Sequence, residues 1–214
     1  MFKHKDWPLR VLLVLFVLLA VVVYPYLPEQ VPSHWNLQGE VDSYSSRTFG
    51  AFFPPGLALG IYLLMLFVPR LDPKGANYTK YGNAWDAVRW SLVLLMLLLG
   101  LITWAAALGW PVPVGKMILT AIALLFIVIG NYLPKIRYQN YTLGIRTPWT
   151  LESEVVWRET HRLGGLLMVI GGFVALFGLL LSDKAAFILL LVSLFVPVII
   201  ATVYSYIRFN QLKK

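Results

Sequence analysis

The sequence predicts an all-α, polytopic membrane protein with six transmembrane helices and with both termini on the cytoplasmic side. This prediction depends on a low charge content, on six apolar runs and on the positions of the basic residues. Of the 214 residues, 59% are hydrophobic and 13% are charged, whereas soluble domains carry about 25% charged residues. A chain with so little polar surface cannot cover a core in water, so a bilayer is its expected solvent.

Six apolar runs are each close to the roughly 20 residues that a helix needs to cross a bilayer. They cover residues 10–27, 51–68, 88–108, 116–133, 163–181 and 185–207. The first run ends without the small residues of a signal-peptide cleavage site, and further runs follow it. It is therefore predicted to remain as a membrane anchor.

Small residues in two of these runs predict close helix packing. The second run contains Gly56 and Gly60 as a G-x-x-x-G motif, and the fifth carries a stripe of small residues from Gly164 to Ser182. Small side chains let helix backbones approach closely in membranes. No ionisable residue lies in the middle of any run, which argues against an ion pump or channel.

The orientation follows from the lysines and arginines, which accumulate in cytoplasmic loops of membrane proteins. With the N-terminus inside, only Arg47, Lys116 and Lys184 of the 18 basic residues fall in outer segments. The other 15 fall in inner segments: Lys3, Lys5, Arg10, Arg70, Lys74, Lys80, Arg89, Lys135, Arg137, Arg146, Arg158, Arg162, Arg208, Lys213 and Lys214.

The chain is predicted to divide into two three-helix regions. Residues 1–110 include an outer loop at 28–50, and residues 111–214 include an inner loop at 134–162. A further inner loop covers residues 69–87. All three are longer than the 2–8 residues, roughly, that usually join helices, so they are expected to carry function. The absence of cysteine excludes disulfides and cysteine-ligated metals.

The outer loop is predicted to form a hairpin, because apolar and polar residues alternate on both sides of a turn at Asn36 to Gly39. On such a strand His34 and Asn36 project to the same side, and Glu40 or Asp42 can meet them across the turn. The set suits a hydrogen-bonded staple, a ligand contact, or a metal or acid–base site. A single histidine is a weak metal signal, so the staple ranks first, the ligand contact second, and no cofactor is predicted.

The inner loop combines basic and aromatic residues with a predicted helix. Thr150 is predicted to be the N-cap of a helix that begins at the next residue. On this helix Glu154 and Arg158 lie four residues apart and can form an ion pair. Trp157 and His161 have the same spacing and can pack together.

Two interpretations of this loop are open: a docking surface or anion site built from arginines, or an ordinary positive-inside loop with aromatic residues at headgroup level. Arg146 lies between Gly144 and Pro148, which restrict the backbone. We expect its guanidinium to be held by Glu152, by Glu154, by a lipid headgroup or by an acidic group of a partner. The predicted partner-binding residues are Asn140, Arg146, Trp149, Trp157, His161 and Arg162.

Several motifs follow one another in a specific order. The C-terminal ones are Gly130-Asn131, Asn140, 144–150, Trp157, 160–162 and Gly164-Gly165. The N-terminal ones are Pro32, His34, Trp35, Asn36, Gly39 and Asp42, with Asp72-Pro73 and Asn77-Tyr78 further along the chain. The C-terminal set resembles the SdpI family of membrane immunity and signalling proteins from Gram-positive bacteria. The N-terminal set resembles a companion domain of unknown function.

The resemblance implies a non-enzymatic, multi-pass protein of the bacterial cell membrane that protects against a secreted, membrane-active peptide toxin. Some family members also hold a transcriptional repressor at the cytoplasmic face. The implied partners are the peptide, a repressor protein and membrane lipids, without direct contact to nucleic acid. A membrane-embedded hydrolase and a transporter or flippase remain as alternatives. The hydrolase would use His34, Glu40 and Asp42 outside, or Glu152, Glu154 and His161 inside.

The predicted orientation can be tested by thiol labelling, because the chain has no native cysteine. We expect Asn36→Cys to react with a membrane-impermeant maleimide in intact cells, and Ile145→Cys to react only after the membrane is opened. Labelling of Asn36→Cys only after opening, or of Ile145→Cys in intact cells, would contradict the orientation.

Overall fold

The computed structural model describes residues 6–36, 38–81 and 83–213. Three members of the predicted cytoplasmic basic set, Lys3, Lys5 and Lys214, lie outside the described residues, as does residue 37 in the predicted outer turn.

The described chain is mainly helical, with one small hairpin. Its elements are α1 (Trp7–Val23), β1 (Gln30–Trp35), β2 (Val41–Ser46), α2 (Arg47–Leu71), α3 (Ala84–Ala107), α4 (Val114–Tyr132), α5 (Pro148–Glu152), α6 (Glu154–Leu176) and α7 (Asp183–Leu212). All of the helices except the five-residue α5 are long and apolar enough to cross a membrane. The predicted fold class and the six spans are therefore confirmed.

The helix boundaries depend on caps that the apolar runs did not reveal. The Ser153 hydroxyl accepts a hydrogen bond from the Val156 N–H, so α6 begins at Glu154, before the apolar run at residue 163 and three residues after the helix start predicted at residue 151. The prediction of Thr150 as an N-cap is wrong. Thr147 caps α5, and its side chain and that of Thr150 each accept a hydrogen bond from the other's backbone N–H, at 3.2 and 2.8 Å.

The two ends of the bundle differ in structure. We call the end that carries β1 and β2 the outer end, and the end that carries residues 72–81 and 133–153 the inner end, following the predicted orientation. Buried residues of α1, α2 and α3 form one core, and Ala123, Ala175 and Leu190 form a smaller core between α4, α6 and α7. A third core, at the inner end, joins α2 and α3 to α6 and includes Met65, Val88 and Trp157.

Helix α6 packs closely on both of its neighbours. A Cβ added at Gly171 would lie 2.3 Å from the Ser193 carbonyl oxygen of α7, and one at Gly165 would lie 2.6 Å from the Gly130 carbonyl oxygen of α4. Only glycine permits such approaches, and the predicted close packing along the fifth run is confirmed. For Gly56 and Gly60 it is wrong, because both are exposed and a Cβ on either would meet nothing within 4 Å.

A buried ion pair ties α1 to α3. The Arg89 guanidinium donates to Asp6 at 2.6 Å and to Asp86 at 3.0 Å, and Arg89 is 3% exposed. Arg89 lies in the first turns of α3, at the end of the bundle that the sequence assigned to the cytoplasmic side. Pairing offsets the cost of burying this charge so close to the apolar core.

Candidate functional site

The outer loop forms the predicted hairpin. Strand β1 pairs antiparallel with β2, from Gln30 opposite Ser46 to Trp35 opposite Val41. The Asn36 side-chain oxygen accepts hydrogen bonds from the N–H groups of Gln38 and Glu40, at 2.9 and 3.0 Å. These bonds hold the turn, as asparagine often does in such loops.

The four residues predicted for the outer site lie together as two polar pairs. His34 Nδ1 lies 2.5 Å from a carboxylate oxygen of Asp42, and the Asn36 amide donates to Glu40 at 3.2 Å. The side chains of His34 and Asp42 are 68% and 42% exposed. These pairs are hydrogen-bonded and accessible at once, so they can stabilise the hairpin and still contact a ligand. Among the described residues, no group of three His, Asp or Glu side chains could hold a metal ion.

An apolar cleft of about 440 Å³ lies beside the hairpin, between α2 and α3, and we call it the outer cleft. The hairpin is held next to it by Val31, which is fully buried and packs against α2 at Gly50. A Cβ at Gly50 would come within 2.5 Å of the Val31 side chain, so the strand can approach this closely only because residue 50 is glycine. No sequence pattern indicated this cleft, because residues from segments far apart in the chain form it.

At the inner end, the carboxylate of Asp72 joins the two halves of the chain. It accepts hydrogen bonds from the Tyr78 hydroxyl at 2.6 Å and from the Lys74 N–H at 2.8 Å, both in its own loop. It also accepts from the Tyr141 N–H at 2.8 Å and the Thr142 hydroxyl at 3.4 Å, both in the inner loop. Asp72 is 8% exposed, so these donors replace water around the charge.

The electrostatics of this site follow from its hydrogen bonds. Burial alone would raise the pKa of the Asp72 carboxyl, but the four donors outweigh burial and hold this pKa below its ordinary value. Burial and the hydrogen bond to Asp72 together raise the pKa of the Tyr78 hydroxyl. Burial and the nearby charge of Asp72 raise the pKa of Tyr81 to about 12. At neutral pH the carboxylate is therefore charged and both phenols are protonated.

Further hydrogen bonds between the two inner loops surround Asp72. The Lys74 ammonium donates to the Gln139 side chain at 2.9 Å, and the Asn77 amide donates to the Gln139 carbonyl at 2.9 Å. The Gln139 amide donates onward to the Thr150 carbonyl at 3.1 Å. The Tyr81 hydroxyl donates to the carbonyl of residue 138 at 3.0 Å. The motif at Asn77-Tyr78 and the length of residues 69–87 were the signals in the sequence, and neither predicted these contacts.

The motif residues of the inner loop mostly point inward. His161 and Trp157 are fully buried and stack with ring centroids 4.0 Å apart, as predicted. The Ile145 N–H donates to His161 Nε2 at 3.1 Å, so Nδ1 carries the proton and donates to the Trp157 carbonyl at 2.7 Å. Gly144 has a φ of +117°, and a Cβ there would lie 2.1 Å from His161 Nε2. The loop conformation thus requires glycine at this position.

The predicted partner-binding residues separate into two groups. Asn140, Trp157 and His161 are fully buried, and Asn140 accepts hydrogen bonds from two N–H groups of its own loop. Trp149 is half-buried and its indole N–H donates to the hydroxyl of Ser205 in α7. Of the six predicted residues, only Arg146 and Arg162 are exposed. Of the predicted set, these two arginines and part of Trp149 are therefore the accessible residues.

Arg146 is held by a backbone carbonyl, not by either of the two acids predicted within the loop. Its guanidinium donates to the Tyr141 carbonyl. Glu154 instead pairs with Arg158 at 3.5 Å, as predicted, and Glu152 lies 3.7 Å from the Lys213 ammonium. Both ring nitrogens of His161 are hydrogen-bonded to backbone groups. This histidine is therefore not free to act as the acid or base of the inner site that the hydrolase alternative requires.

We predict that Asp72→Asn lowers the free energy of unfolding at pH 7 by about 3 kcal/mol, because an amide oxygen cannot replace a carboxylate that accepts four hydrogen bonds. Asp183→Asn, at an exposed position in the first turn of α7, should change it by less than about 1 kcal/mol, the size of a helix-dipole contribution. Denaturation in detergent, followed by intrinsic tryptophan fluorescence, measures both.

The same pair of variants gives a pH dependence. Because the pKa of Asp72 is lower in the folded state, its contribution is complete above the ordinary aspartate pKa of about 4 and is lost as the pH falls through the folded value. The stability difference between the parent and Asp72→Asn should therefore shrink below about pH 4. A stability difference that is the same at pH 7 and below about pH 4 contradicts the role assigned to the Asp72 carboxylate.

Comparison with known proteins gives matches to both halves of the chain. Residues 137–205 match the SdpI/YfhL protein family, and residues 11–59 match a domain of unknown function, DUF1648. The chain is 25% identical over 202 residues to the Immunity protein SdpI of Bacillus subtilis (strain 168), covering 94% of each chain. No solved structure matches the chain. The C-terminal half of the chain is therefore similar to the SdpI/YfhL protein family, as its motifs predicted, and the N-terminal half is similar to DUF1648 domains.

Proposed function

We propose that this chain is a membrane immunity protein that protects its cell against a secreted, membrane-active peptide, without enzymatic activity. The observation that carries the proposal is the outer hairpin, which presents the exposed pair His34 and Asp42 at the mouth of an apolar cleft and a second polar pair, Asn36 and Glu40, at its turn. A peptide that attacks a membrane has apolar and polar parts, and this surface offers a complement to each. The similarity to the Immunity protein SdpI supports the same conclusion.

The two predicted regions have separate roles in this proposal. Residues 1–110, with the outer loop at 28–50, would meet the peptide on the outer side. Residues 111–214, with the inner loop at 134–162, would meet a cytoplasmic protein, of the transcriptional repressor type that some relatives hold. The hydrogen bonds around Asp72 give the inner loop a fixed shape, which supports a docking role because a rigid surface loses little entropy on binding.

The immunity proposal can be tested in a Bacillus subtilis strain that lacks its own immunity protein and is grown beside a strain that secretes the killing peptide. Expression of the parent chain should protect the cells. We expect His34→Ala and Asp42→Ala each to lower the peptide concentration that the cells survive by about ten-fold, equivalent to about 1.4 kcal/mol of binding free energy. Both residues are exposed, so membrane levels should not change.

Ser43→Ala, an exposed change on the same hairpin, is the matched control and should protect like the parent. No protection by the parent contradicts the proposed immunity. Full protection by both His34→Ala and Asp42→Ala, at normal membrane levels, contradicts ligand contact and leaves the pair as a staple of the hairpin.

The inner surface is tested with Arg146→Lys, which keeps the charge and loses the planar guanidinium. The probe is a tagged transcriptional repressor that is co-expressed with this chain. We expect the tagged protein to sediment with membranes that contain the parent chain, and Arg146→Lys to reduce this fraction by about ten-fold, or about 1.4 kcal/mol.

Arg158→Lys is the control for this experiment, because Arg158 is also exposed and already pairs with Glu154 on its own helix. Peptide resistance and membrane level should not change in either variant. Equal recruitment by the parent and Arg146→Lys, or none by the parent, contradicts docking at this surface.

A further inference from the structure

The outer cleft has apolar walls and a polar mouth. Phe53 and Leu57 of α2 and Leu99 of α3 line it, and Ser33 and His34 of the hairpin stand at its edge. Its volume of about 440 Å³ falls within the range of about 300–1,000 Å³ that is typical of ligand sites. An occupant must therefore have an apolar part that fills the walls and a polar part that reaches the hairpin.

The charge around the mouth selects the sign of that polar part. The outer loop, residues 28–50, contains three exposed acids, Glu29, Glu40 and Asp42, and one base, the half-buried Arg47. The described residues that line the cleft include no Asp, Glu, Lys or Arg, so the charge next to it is that of the loop. His34, which is part of the lining, contacts Asp42. The mouth is therefore negative; it attracts a cationic group and repels an anionic phospholipid headgroup.

A lipid acyl chain would fill only the apolar part of this site. It offers no hydrogen-bond donor to Glu40 or to the Ser33 hydroxyl, and no charge opposite to that of the hairpin. A peptide helix with one apolar face and a basic end supplies both the apolar and the cationic component. The hairpin and the cleft are also continuous, since His34 belongs to both.

We infer that the outer cleft binds the apolar face of a cationic, amphipathic peptide, and that the basic end of this peptide lies against the carboxylates of Glu29, Glu40 and Asp42. The inference rests on the proposed immunity function and names the ligand class of its outer site. It assigns specificity to the walls of the cleft, above all to Leu57 and Leu99, in addition to the polar pairs of the hairpin.

Purified protein in phosphatidylcholine vesicles tests the inference without any immunity assay. Ser33→Cys places the single thiol of the chain at the mouth of the cleft, and Ser182→Cys places one at a distant exposed turn before α7. The probe is a leucine-rich helical peptide of about 20 residues with several lysines at one end. A peptide of the same length with glutamates in place of the lysines is its control.

We expect the lysine peptide to slow the reaction of Ser33→Cys with N-ethylmaleimide by about five-fold and to leave Ser182→Cys unchanged. The glutamate peptide should have no effect on either. Leu99→Trp, which fills the cleft, should abolish the effect in the Ser33→Cys background. Leu101→Trp, on the exposed face of the same helix, should leave it intact.

Three outcomes overturn the inference: equal effects of the two peptides, equal effects on the two thiols, or an effect that survives Leu99→Trp. A Leu99→Trp protein that does not fold is replaced by Leu57→Trp, with Leu59→Trp as its exposed control. In cells, equal protection by the parent chain and by folded Leu99→Trp contradicts peptide binding in the cleft but not the immunity proposal. A parent chain that fails to protect contradicts the immunity proposal, and the vesicle result still decides whether the cleft takes a cationic peptide.

Discussion

The inner end of this protein depends on one buried carboxylate. Asp72 follows directly after α2, is 8% exposed, and accepts hydrogen bonds from its own loop and from the inner loop of the other half. A carboxylate in such a place is costly unless donors replace its water. Here the Tyr78 hydroxyl, the two N–H groups and a weaker threonine contact supply them. Helix α2 and the inner loop are thereby held in one arrangement.

The motif residues of the inner loop hold its conformation. Trp157 and His161 were predicted as partner-binding residues and Gly144 as a residue that restricts the backbone, yet all three fix the loop: the histidine bridges two backbone groups, and the glycine leaves room for its ring. The side chains that stay exposed on this face include Arg146 and Arg162. The inner-loop motif thus specifies a loop conformation more than a binding surface.

The outer end is organised around the hairpin and the cleft beside it. Its hairpin contributes one fully buried anchor, Val31, and otherwise keeps its polar pairs exposed above a cleft formed by α2 and α3. Close helix packing is concentrated in α6, where Gly165 and Gly171 allow contact with α4 and α7. The half of the chain with the tightest packing therefore carries the fixed inner loop, and the other half carries the cleft.

The sequence by itself determined the six spans, the outer hairpin and the pairing of Glu154 with Arg158, because run length, alternation and helical spacing are local properties of the chain. It could not determine the partners of Asp72, the tyrosine carbonyl that holds Arg146, or the outer cleft. It also misjudged Gly56 and Gly60, since a G-x-x-x-G motif does not say which helix, if any, faces it. These features were decided by the tertiary structure, because each depends on which distant segments the packing of the helices brings together.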